Sequence, residues 1–252
     1  MAKIEHKILV LSGKGGVGKS SIAVNLAVWL STQGKKVGLL DVDIHGPSVP
    51  KLLKLDTCRA QGTEELIEPV AYSKNLKVMS VGFLLADANS AVIWRGPMKH
   101  NVITQFVKNV NWGDLDYLVV DCPPGTGDEP LSIAQTLPDA DGAIMVTTPQ
   151  QVAVADVKKC ITFCSQVHLK VLGIIENMSG FVCPHCNKRT DIFKGDGGSE
   201  MAEQFGITFL GSIPIDPEMG RCCDAGEPFI NSNSNSPTVQ AIQHAFRPLL
   251  EL

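Results

Sequence analysis

The fold is decided by a stretch near the start of the chain, Lys7-Ile8-Leu9-Val10-Leu11-Ser12-Gly13-Lys14-Gly15-Gly16-Val17-Gly18-Lys19-Ser20. A short apolar run, typical of a buried strand, ends in a glycine-rich turn, and residues 21–30 have helical spacing. Gly13 and Gly18-Lys19-Ser20 fit the phosphate-loop pattern G-x-x-x-x-G-K-[ST]. Its place between a strand and a helix favours a nucleotide site over a glycine-rich turn that binds nothing.

The residue types of this loop predict the binding of ATP and Mg²⁺. Glycines let backbone N–H groups turn inward around an anion, and the following helix points its positive end at the phosphates. Lys19 would reach the β- and γ-phosphates, and the Ser20 hydroxyl would ligate Mg²⁺. The predicted nucleotide-binding residues of the loop are Gly13, Lys14, Gly15, Gly16, Val17, Gly18, Lys19, Ser20 and Ser21.

Composition narrows the class of protein. The chain has 252 residues, of which 44% are hydrophobic and 19% charged, as in ordinary globular domains. A net charge of −4 disfavours a nucleic-acid-binding surface spread over the domain. Without a signal-peptide pattern or a long apolar span, we expect a cytoplasmic protein with no membrane partner. The eight cysteines are too sparse for a disulfide framework, which favours free thiols or metal ligands.

Apolar runs and turn signals predict an alternating order of strands and helices. Predicted strands cover residues 37–40, 76–81, 117–120, 143–146, 171–175 and 209–213, and predicted helices cover residues 21–30, 97–110, 152–167 and 238–250. Strands separated by helix-length segments indicate right-handed βαβ units. The predicted fold class is α/β: a single domain over residues 1–252 with the three-layer P-loop NTPase fold, a mostly parallel twisted sheet with helices on both faces.

Carboxylates follow two of the predicted strands. Asp121 ends an apolar run and fits a strand-end acid that reaches Mg²⁺, directly or through water. Asp41 and Asp43 follow the second strand, at the sheet edge where open parallel sheets bind ligands. We expect Asp43 to orient the attacking water and Asp41 to support the metal, although a helix cap or turn is the alternative for Asp41. Asp128 lies in a glycine- and proline-rich segment whose amides could sense the γ-phosphate; the alternative for Asp128 is a helix N-cap or a turn residue.

Lys14, inside the loop, makes a narrower comparison possible. With this lysine the chain resembles the deviant Walker A ATPases, which include MinD, ParA, arsenite-pump ATPases and nitrogenase iron protein. In that class the early lysine crosses a dimer interface and contacts the partner's nucleotide, much as an arginine finger does. The resemblance implies a dimeric ATPase in which Lys14, Lys19 and Asp43 are catalytic.

Further motifs resemble the Mrp/ApbC family, whose eukaryotic relatives are cytosolic iron–sulfur scaffold ATPases. These motifs are Asp41-Val42-Asp43-Ile44-His45-Gly46-Pro47-Ser48, Trp94-Arg95-Gly96-Pro97-Met98, Asp121-Cys122-Pro123-Pro124-Gly125-Thr126-Gly127-Asp128-Glu129, Glu176-Asn177-Met178-Ser179 and Cys183-Pro184-His185-Cys186. The resemblance implies a homodimer, or a heterodimer with a paralogue, that hydrolyses ATP and passes a [4Fe–4S] cluster to apo client proteins. It also implies adenine contacts from Asn177, Pro214 and Asp216.

Cys183 and Cys186 place two thiolates on one turn, within a predicted cysteine-bearing insertion at about residues 178–198. Zinc sites and cubane clusters usually need four protein ligands. In the dimer that Lys14 implies, two such turns meeting at the two-fold axis would supply four thiolates for the cluster, or for Zn²⁺ in its place. Some bacterial members have an extra N-terminal domain and some eukaryotic members an N-terminal four-cysteine motif. With twelve residues before the phosphate loop, we expect neither here, and we expect the function to rest on the Cys183/Cys186 pair.

The two thiols of the Cys183/Cys186 pair have two alternative interpretations, a redox site and an inert, solvent-facing turn. A thioredoxin-like redox role is disfavoured because residues 187–190 carry little helical signal, and His185 is expected to flank the pair. Three other cysteines are predicted to pack in the core: Cys122, Cys160 and Cys164. For Cys222 and Cys223, packing is favoured over a part in cluster transfer, and Cys58 has no assigned role.

The alternative function is a spatial-organisation ATPase of the MinD or ParA type, with a structural zinc at the cysteine pair. A membrane-binding C-terminal helix is not indicated, because residues 239–248 carry one firm positive charge and a proline. A DNA-binding face is disfavoured by the negative net charge. An electron donor like nitrogenase iron protein would need two well-separated cluster cysteines in each subunit, whereas here the two lie on one turn.

Overall fold

The β-strands build a nine-stranded sheet around the strand that precedes the phosphate loop. A computed structural model describes residues 3–63, 66–84, 103–183, 186, 188–193, 197–232 and 234–252. The strands in this part of the chain are β1 (Ile4–Leu11), β2 (Val37–Asp41), β3 (Gln61–Gly62), β4 (Ile67–Glu68), β5 (Val70–Ser73), β6 (Leu76–Ser80), β7 (Leu115–Asp121), β8 (Gly142–Thr147), β9 (Val171–Val182), β10 (Arg189–Thr190) and β11 (Phe209–Ile215).

The strand order shows a mostly parallel sheet. It runs β10-β9-β8-β1-β7-β2-β6-β5, with β11 paired to β9 and a separate β3–β4 hairpin. Pairing is parallel except at β5–β6 and β9–β10. Because β1, β7 and β2 are parallel neighbours, the loops that follow them leave the sheet at the same edge. This edge carries the phosphate loop and the predicted carboxylates.

The helices cover both faces of the sheet, as the predicted three-layer fold class requires. They are α1 (Lys19–Thr32), α2 (Val49–Leu52), α3 (residues 103–108), α4 (Asp128–Thr136), α5 (Gln151–Gln166), α6 (Gly197–Phe205), α7 (Pro217–Ala225) and α8 (Pro237–Phe246), with 3-10 turns at Val81–Leu84, Phe229–Asn231 and Arg247–Glu251. In the described residues, no helix combines the length and the apolar character that a membrane crossing requires.

The core lies around β1 and α1. Every residue of α1 from Ile22 to Leu30 is buried, so this helix is covered on all sides rather than being amphipathic. Its Trp29 packs against Phe246 of α8, with ring centroids 5.9 Å apart. The phosphate loop is therefore anchored at both ends, in a central strand and in a buried helix.

Several element boundaries differ from those predicted. Strand β9 continues to Val182, beyond the predicted end at residue 175, because it pairs with β11 and then with β10. Helix α4 begins at Asp128, within a segment predicted to be a loop. The last helix ends at Phe246, where Pro248 disfavours continuation. Of the helix predicted over residues 97–110, residues 97–102 lie outside the described residues, as does the Trp94–Met98 motif.

Candidate functional site

The phosphate loop connects β1 to α1 and lines a cavity of about 250 Å³. Gly16 and Gly18 have φ of +81° and +83°, a left-handed backbone that glycine adopts without strain. At Gly18 a Cβ atom would also clash with the Asn177 amide nitrogen, so a larger residue would have to displace that side chain. The cavity is lined by Ser12, Lys14, Gly15, Gly16, Gly18, Lys19, Ser20, Ser21, Asp43, Ser48, Leu52 and Pro124.

Lys19 and Asp121 form a buried ion pair at the base of the cavity. The Lys19 Nζ donates to Asp121 Oδ1 at 2.5 Å, and the two side chains are 6% and 0% exposed. Burial alone would lower the pKa of Lys19, but the Asp121 carboxylate outweighs it and raises that pKa. Lys19 therefore stays a cation, as phosphate binding requires.

The residues at this point fit Mg²⁺. The Asp121 Oδ2 atom is buried and has no hydrogen-bond partner among the described residues. A buried carboxylate oxygen without a donor is costly unless a cation or a bound water satisfies it. The Ser20 hydroxyl lies 3.2 Å from Lys19 Nζ, so a second hard oxygen ligand stands beside the same pair. Asp121 and Ser20 would hold the metal.

Asp43 is presented to the cavity by the loop after β2. Its Oδ1 accepts hydrogen bonds from the backbone N–H groups of His45 and Gly46, both at 3.2 Å. The His45 Nε2 lies 3.3 Å from Glu129 Oε1 of α4, which joins this loop to the segment after β7. One Asp43 oxygen is thus fixed by the backbone, and the half-buried side chain lines the cavity.

Asp41 has a different environment from the one predicted for a metal-supporting residue. It is fully buried, and Oδ2 accepts from the Ser80 hydroxyl at 2.9 Å and from the Val49 N–H at 3.3 Å. Its Oδ1 accepts from the Asp43 N–H at 3.1 Å. Burial raises the pKa of Asp41 to about 8, and the neighbouring Asp121 adds to the rise. Both oxygens are used to hold the loop that carries Asp43, and a role for Asp41 at Mg²⁺ stays a prediction.

The raised pKa of Asp41 predicts a pH dependence of stability. The folded chain keeps a proton on Asp41 that the unfolded chain releases near its ordinary pKa of 3.8. The free energy of unfolding should therefore fall as pH rises from about 4 to about 8, by at most about 1.4 kcal/mol per pH unit for this proton. Asp41→Asn removes the titrating group, so its urea-unfolding profile should be flatter over that window. An equally steep profile in the variant would contradict the assignment.

Lys14 lies at the rim of the cavity in its own chain. Its Nζ donates to Gln150 Oε1 at 3.1 Å, and its carbonyl accepts from the Ser12 hydroxyl at 3.0 Å. Gln150 directly precedes α5, so the lysine is held between the phosphate loop and that helix. Contact with a partner's nucleotide stays a prediction.

The three predicted adenine-binding residues lie at the end of the sheet that carries β9 and β11. Asn177 is 4% exposed, and its amide donates to the Val17 carbonyl at 2.9 Å, so it packs against the phosphate loop. It lies opposite Ile213 in the β9–β11 register, next to Pro214. The Asp216 carboxylate caps α7 by accepting from the Glu218 N–H at 2.9 Å. Their adenine contacts stay a prediction.

The cysteine pair stands on a β-hairpin. Cys183 directly follows β9, and its N–H donates to the Lys188 carbonyl at 3.1 Å, just before β10. Cys183 is half-buried and Cys186 is exposed, whereas Pro184 and His185 lie outside the described residues. Among the residues that the structure describes, no group of three or more His, Cys, Asp or Glu side chains could hold a metal ion.

The remaining thiols are mostly core residues. Cys122, Cys160 and Cys164 are buried, as predicted. Burial raises the pKa of Cys160 to about 11 and that of Cys164 to about 12, so these thiols stay protonated. Cys223 lies 3.6 Å from the Ser21 hydroxyl at the end of the phosphate loop, a contact that no local sequence pattern signals.

A central strand, a glycine-rich loop, a buried helix and a strand-end carboxylate paired with the loop lysine define a P-loop NTPase. The family model for NUBPL iron-transfer P-loop NTPases, a ParA-type model, matches residues 3–250. The chain belongs to this family, and the resemblance that the sequence motifs indicated is confirmed.

Close relatives agree with this assignment. The chain is 52% identical over 230 residues to an iron-sulfur cluster carrier protein of Methanocaldococcus jannaschii, covering 91% of this chain and 79% of the relative. It is 48% identical over 254 residues to the cytosolic Fe-S cluster assembly factor NUBP2 of Bos taurus, covering 99% and 94%. A nucleotide-binding protein of Archaeoglobus fulgidus, solved in complex with ADP, is 43% identical, with a TM-score of 0.79 and coverage of 89% and 88%.

Proposed function

We propose that this protein is an ATP-dependent scaffold and carrier for a [4Fe–4S] cluster, which it holds between two subunits and passes to apo client proteins. The observation that carries the proposal is that one chain has both a complete phosphate loop and two thiols between β9 and β10, Cys183 half-buried and Cys186 exposed. The cluster is the species that is transferred, and ATP hydrolysis drives its transfer. The partner is a second copy of the chain or a paralogue, and the expected compartment is the cytoplasm.

The nucleotide half of the proposal follows from the cavity. Backbone N–H groups of the loop and the Lys19 ammonium would bind the phosphates, with Lys19 exchanging Asp121 for a phosphate oxygen. Ser20 and Asp121 would hold Mg²⁺, which would neutralise charge on the β- and γ-phosphates when bound. Asp43 lines the same cavity with one oxygen fixed by backbone donors, so the other oxygen is available to orient the attacking water.

The proposed binding of the cluster between two subunits is based on the number of ligands that a cubane cluster needs. A cubane cluster usually takes four thiolates, and one chain offers two on the hairpin turn. Two copies related by a two-fold axis would supply the four, because an isologous interface brings the same surface of both subunits together. A cluster held by two ligands from each chain is released when the subunits separate. That property suits a carrier better than a permanent redox centre.

The names of the relatives support this proposal. One is an iron-sulfur cluster carrier protein and another a cytosolic assembly factor for Fe-S clusters, each near 50% identity over most of the chain. They support delivery to iron–sulfur clients and a cytosolic location. A spatial-organisation ATPase with a structural zinc at the same thiols is disfavoured, because neither a basic membrane helix nor a basic DNA-binding face is indicated by the sequence.

The test is the metal content of anaerobically purified and reconstituted protein. Iron and acid-labile sulfide in equal amounts, with little zinc, are expected for the wild-type chain, and mixing with an apo client enzyme should restore that enzyme's activity. Zinc that stays bound through reconstitution, with no sulfide retained, would contradict the proposal and favour the structural-zinc alternative.

A further inference from the structure

Strand β9 carries three buried polar side chains between the phosphate loop and the cysteine hairpin. Glu176, Asn177 and Ser179 are 2%, 4% and 5% exposed. Buried polar groups of this kind persist only when each has a partner. Their partners lie on three different elements, so these three residues contact both the phosphate loop and the strand that follows the cysteine pair.

Asn177 connects the strand to the nucleotide site. Its amide donates to the Val17 carbonyl at 2.9 Å, and Gly18 leaves the space that the amide fills. If residues 17 and 18 move when phosphates bind, the Asn177 side chain, which contacts both residues, would transmit that movement directly to β9.

Glu176, the preceding residue, connects the strand to α6. Its Oε2 accepts from the Gly198 N–H at 2.7 Å, at the start of that helix, where a negative charge is stabilised. Its Oε1 accepts from the Ser179 hydroxyl at 2.7 Å. Both carboxylate oxygens of Glu176 thus accept hydrogen bonds. The Ser179 hydroxyl donates its single proton to Glu176, so it can only accept from its other neighbours.

Ser179 connects this carboxylate to the hairpin. Its oxygen accepts from Arg189 Nη2 at 3.4 Å, and Arg189 belongs to β10, the strand that closes the thiol turn. Arg189 also pairs with Asp191 at 3.1 Å and lies opposite Val182, the residue before Cys183. We name Glu176, Ser179 and Arg189 the hairpin bridge.

The backbone between the two sites is not a regular strand. Met178 has φ of +58° and Gly180 has φ of +75°. A methionine in the left-handed region is strained and persists only where its surroundings impose it. The hydrogen bonds of Asn177 to the Val17 carbonyl and of Ser179 to Glu176 flank Met178 on its two sides.

We propose that the hairpin bridge, Glu176, Ser179 and Arg189, positions the cysteine pair and links its exposure to nucleotide bound at the phosphate loop. Nucleotide that fixes the loop fixes Asn177, and the bridge then holds β10 and the turn in place. The proposal rests on the proposed function for its purpose, because a carrier needs its ligands held in one nucleotide state and free in another. Cys183, at the base of the turn, should respond more than the exposed Cys186.

The test measures alkylation of Cys183 and Cys186 by iodoacetamide in the full-length chain, followed by peptide mass spectrometry, without nucleotide and with Mg²⁺·ADP. In the wild-type chain, nucleotide should slow alkylation of Cys183 by roughly fivefold or more, the lower end of ordinary coupling between two sites. In Ser179→Ala and in Arg189→Gln, the rates of Cys183 alkylation with and without Mg²⁺·ADP should become nearly equal. Hydrolysis of ATP by both variants should match wild type, because neither residue lines the nucleotide cavity.

Thr190→Ala is the matched control, since it removes an exposed hydroxyl from the same hairpin and should keep the wild-type ratio. Arg189→Gln changes a side chain that is 56% exposed, so it is expected to fold even if Ser179→Ala does not. No nucleotide effect in the wild-type chain, or a full effect in both variants, would overturn the proposal.

Cluster loading of the wild-type chain separates this proposal from the proposed function. Retained iron and sulfide, together with a Cys183 rate that ignores nucleotide, would refute the bridge alone. A nucleotide-sensitive Cys183 in a chain that retains no iron and sulfide would refute the carrier function and leave the bridge standing.

Discussion

Lys14→Ala is expected to lower the turnover of ATP by roughly a thousandfold or more while the variant still binds nucleotide, by analogy with the removal of an arginine finger. In this variant the groups that would bind the phosphates are unchanged: Lys19, Ser20 and the loop amides all lie in the same chain and line the cavity. Lys14 itself is held to Gln150 at the rim, so its loss should leave the fold intact. The measurement is steady-state phosphate release beside the dissociation constant for a fluorescent ATP analogue.

Two further variants make this result specific. Lys74→Ala removes an exposed lysine from the turn between β5 and β6 and should leave turnover unchanged. Lys19→Ala should weaken nucleotide binding itself and expose the buried Asp121 charge without its partner. Turnover by Lys14→Ala close to that of wild type would show that the lysine has no part in the reaction.

Replacing both Cys183 and Cys186 by alanine is expected to abolish retention of iron and sulfide after reconstitution, with ATP hydrolysis kept. Each chain would lose both of the thiolates that it contributes, so a dimer would lose all four, and no described group of three or more potential ligands could take over. The hairpin is joined to the sheet through the backbone, so the substitution should not disturb the nucleotide cavity.

The control for this pair is Cys58→Ala with Cys223→Ala, which removes two thiols of similar partial exposure elsewhere in the chain. It should load as much iron and sulfide as wild type. If the Cys183→Ala/Cys186→Ala chain retained as much iron and sulfide as wild type, the cluster would bind elsewhere and the assignment of Cys183 and Cys186 as its ligands would be wrong.

The fold class could be predicted from sequence because its signals are local. The apolar run before Gly13 and the helix after Ser20 frame the phosphate loop within a single βα unit, and β1 and α1 do lie on either side of it. Asp121 was found in the same way, as the acid that ends an apolar strand. Its ion pair with Lys19 joins residues that the motifs had already singled out.

What the sequence did not reveal depends on contacts between distant segments. The Ser80 hydroxyl, which donates a hydrogen bond to Asp41, lies on another strand, and no residue near Asp41 in the sequence predicts this contact. Strand β9 looked five residues long because the polar residues Glu176, Asn177 and Ser179 end the apolar run. In the structure these three residues have partners on the phosphate loop, α6 and β10, and stay within the sheet. Helix α4 was missed because glycine and proline dominate the residues just before Asp128.

The central claim is that two subunits share one cargo through Cys183 and Cys186. Native mass spectrometry of the anaerobically reconstituted wild-type chain tests it most directly, since a single spectrum reports subunit number and bound mass together. We predict a dimer that carries one [4Fe–4S] cluster and becomes monomer when the cluster is removed. A monomer that retains the cluster, or a dimer whose bound mass is zinc alone, would contradict the account.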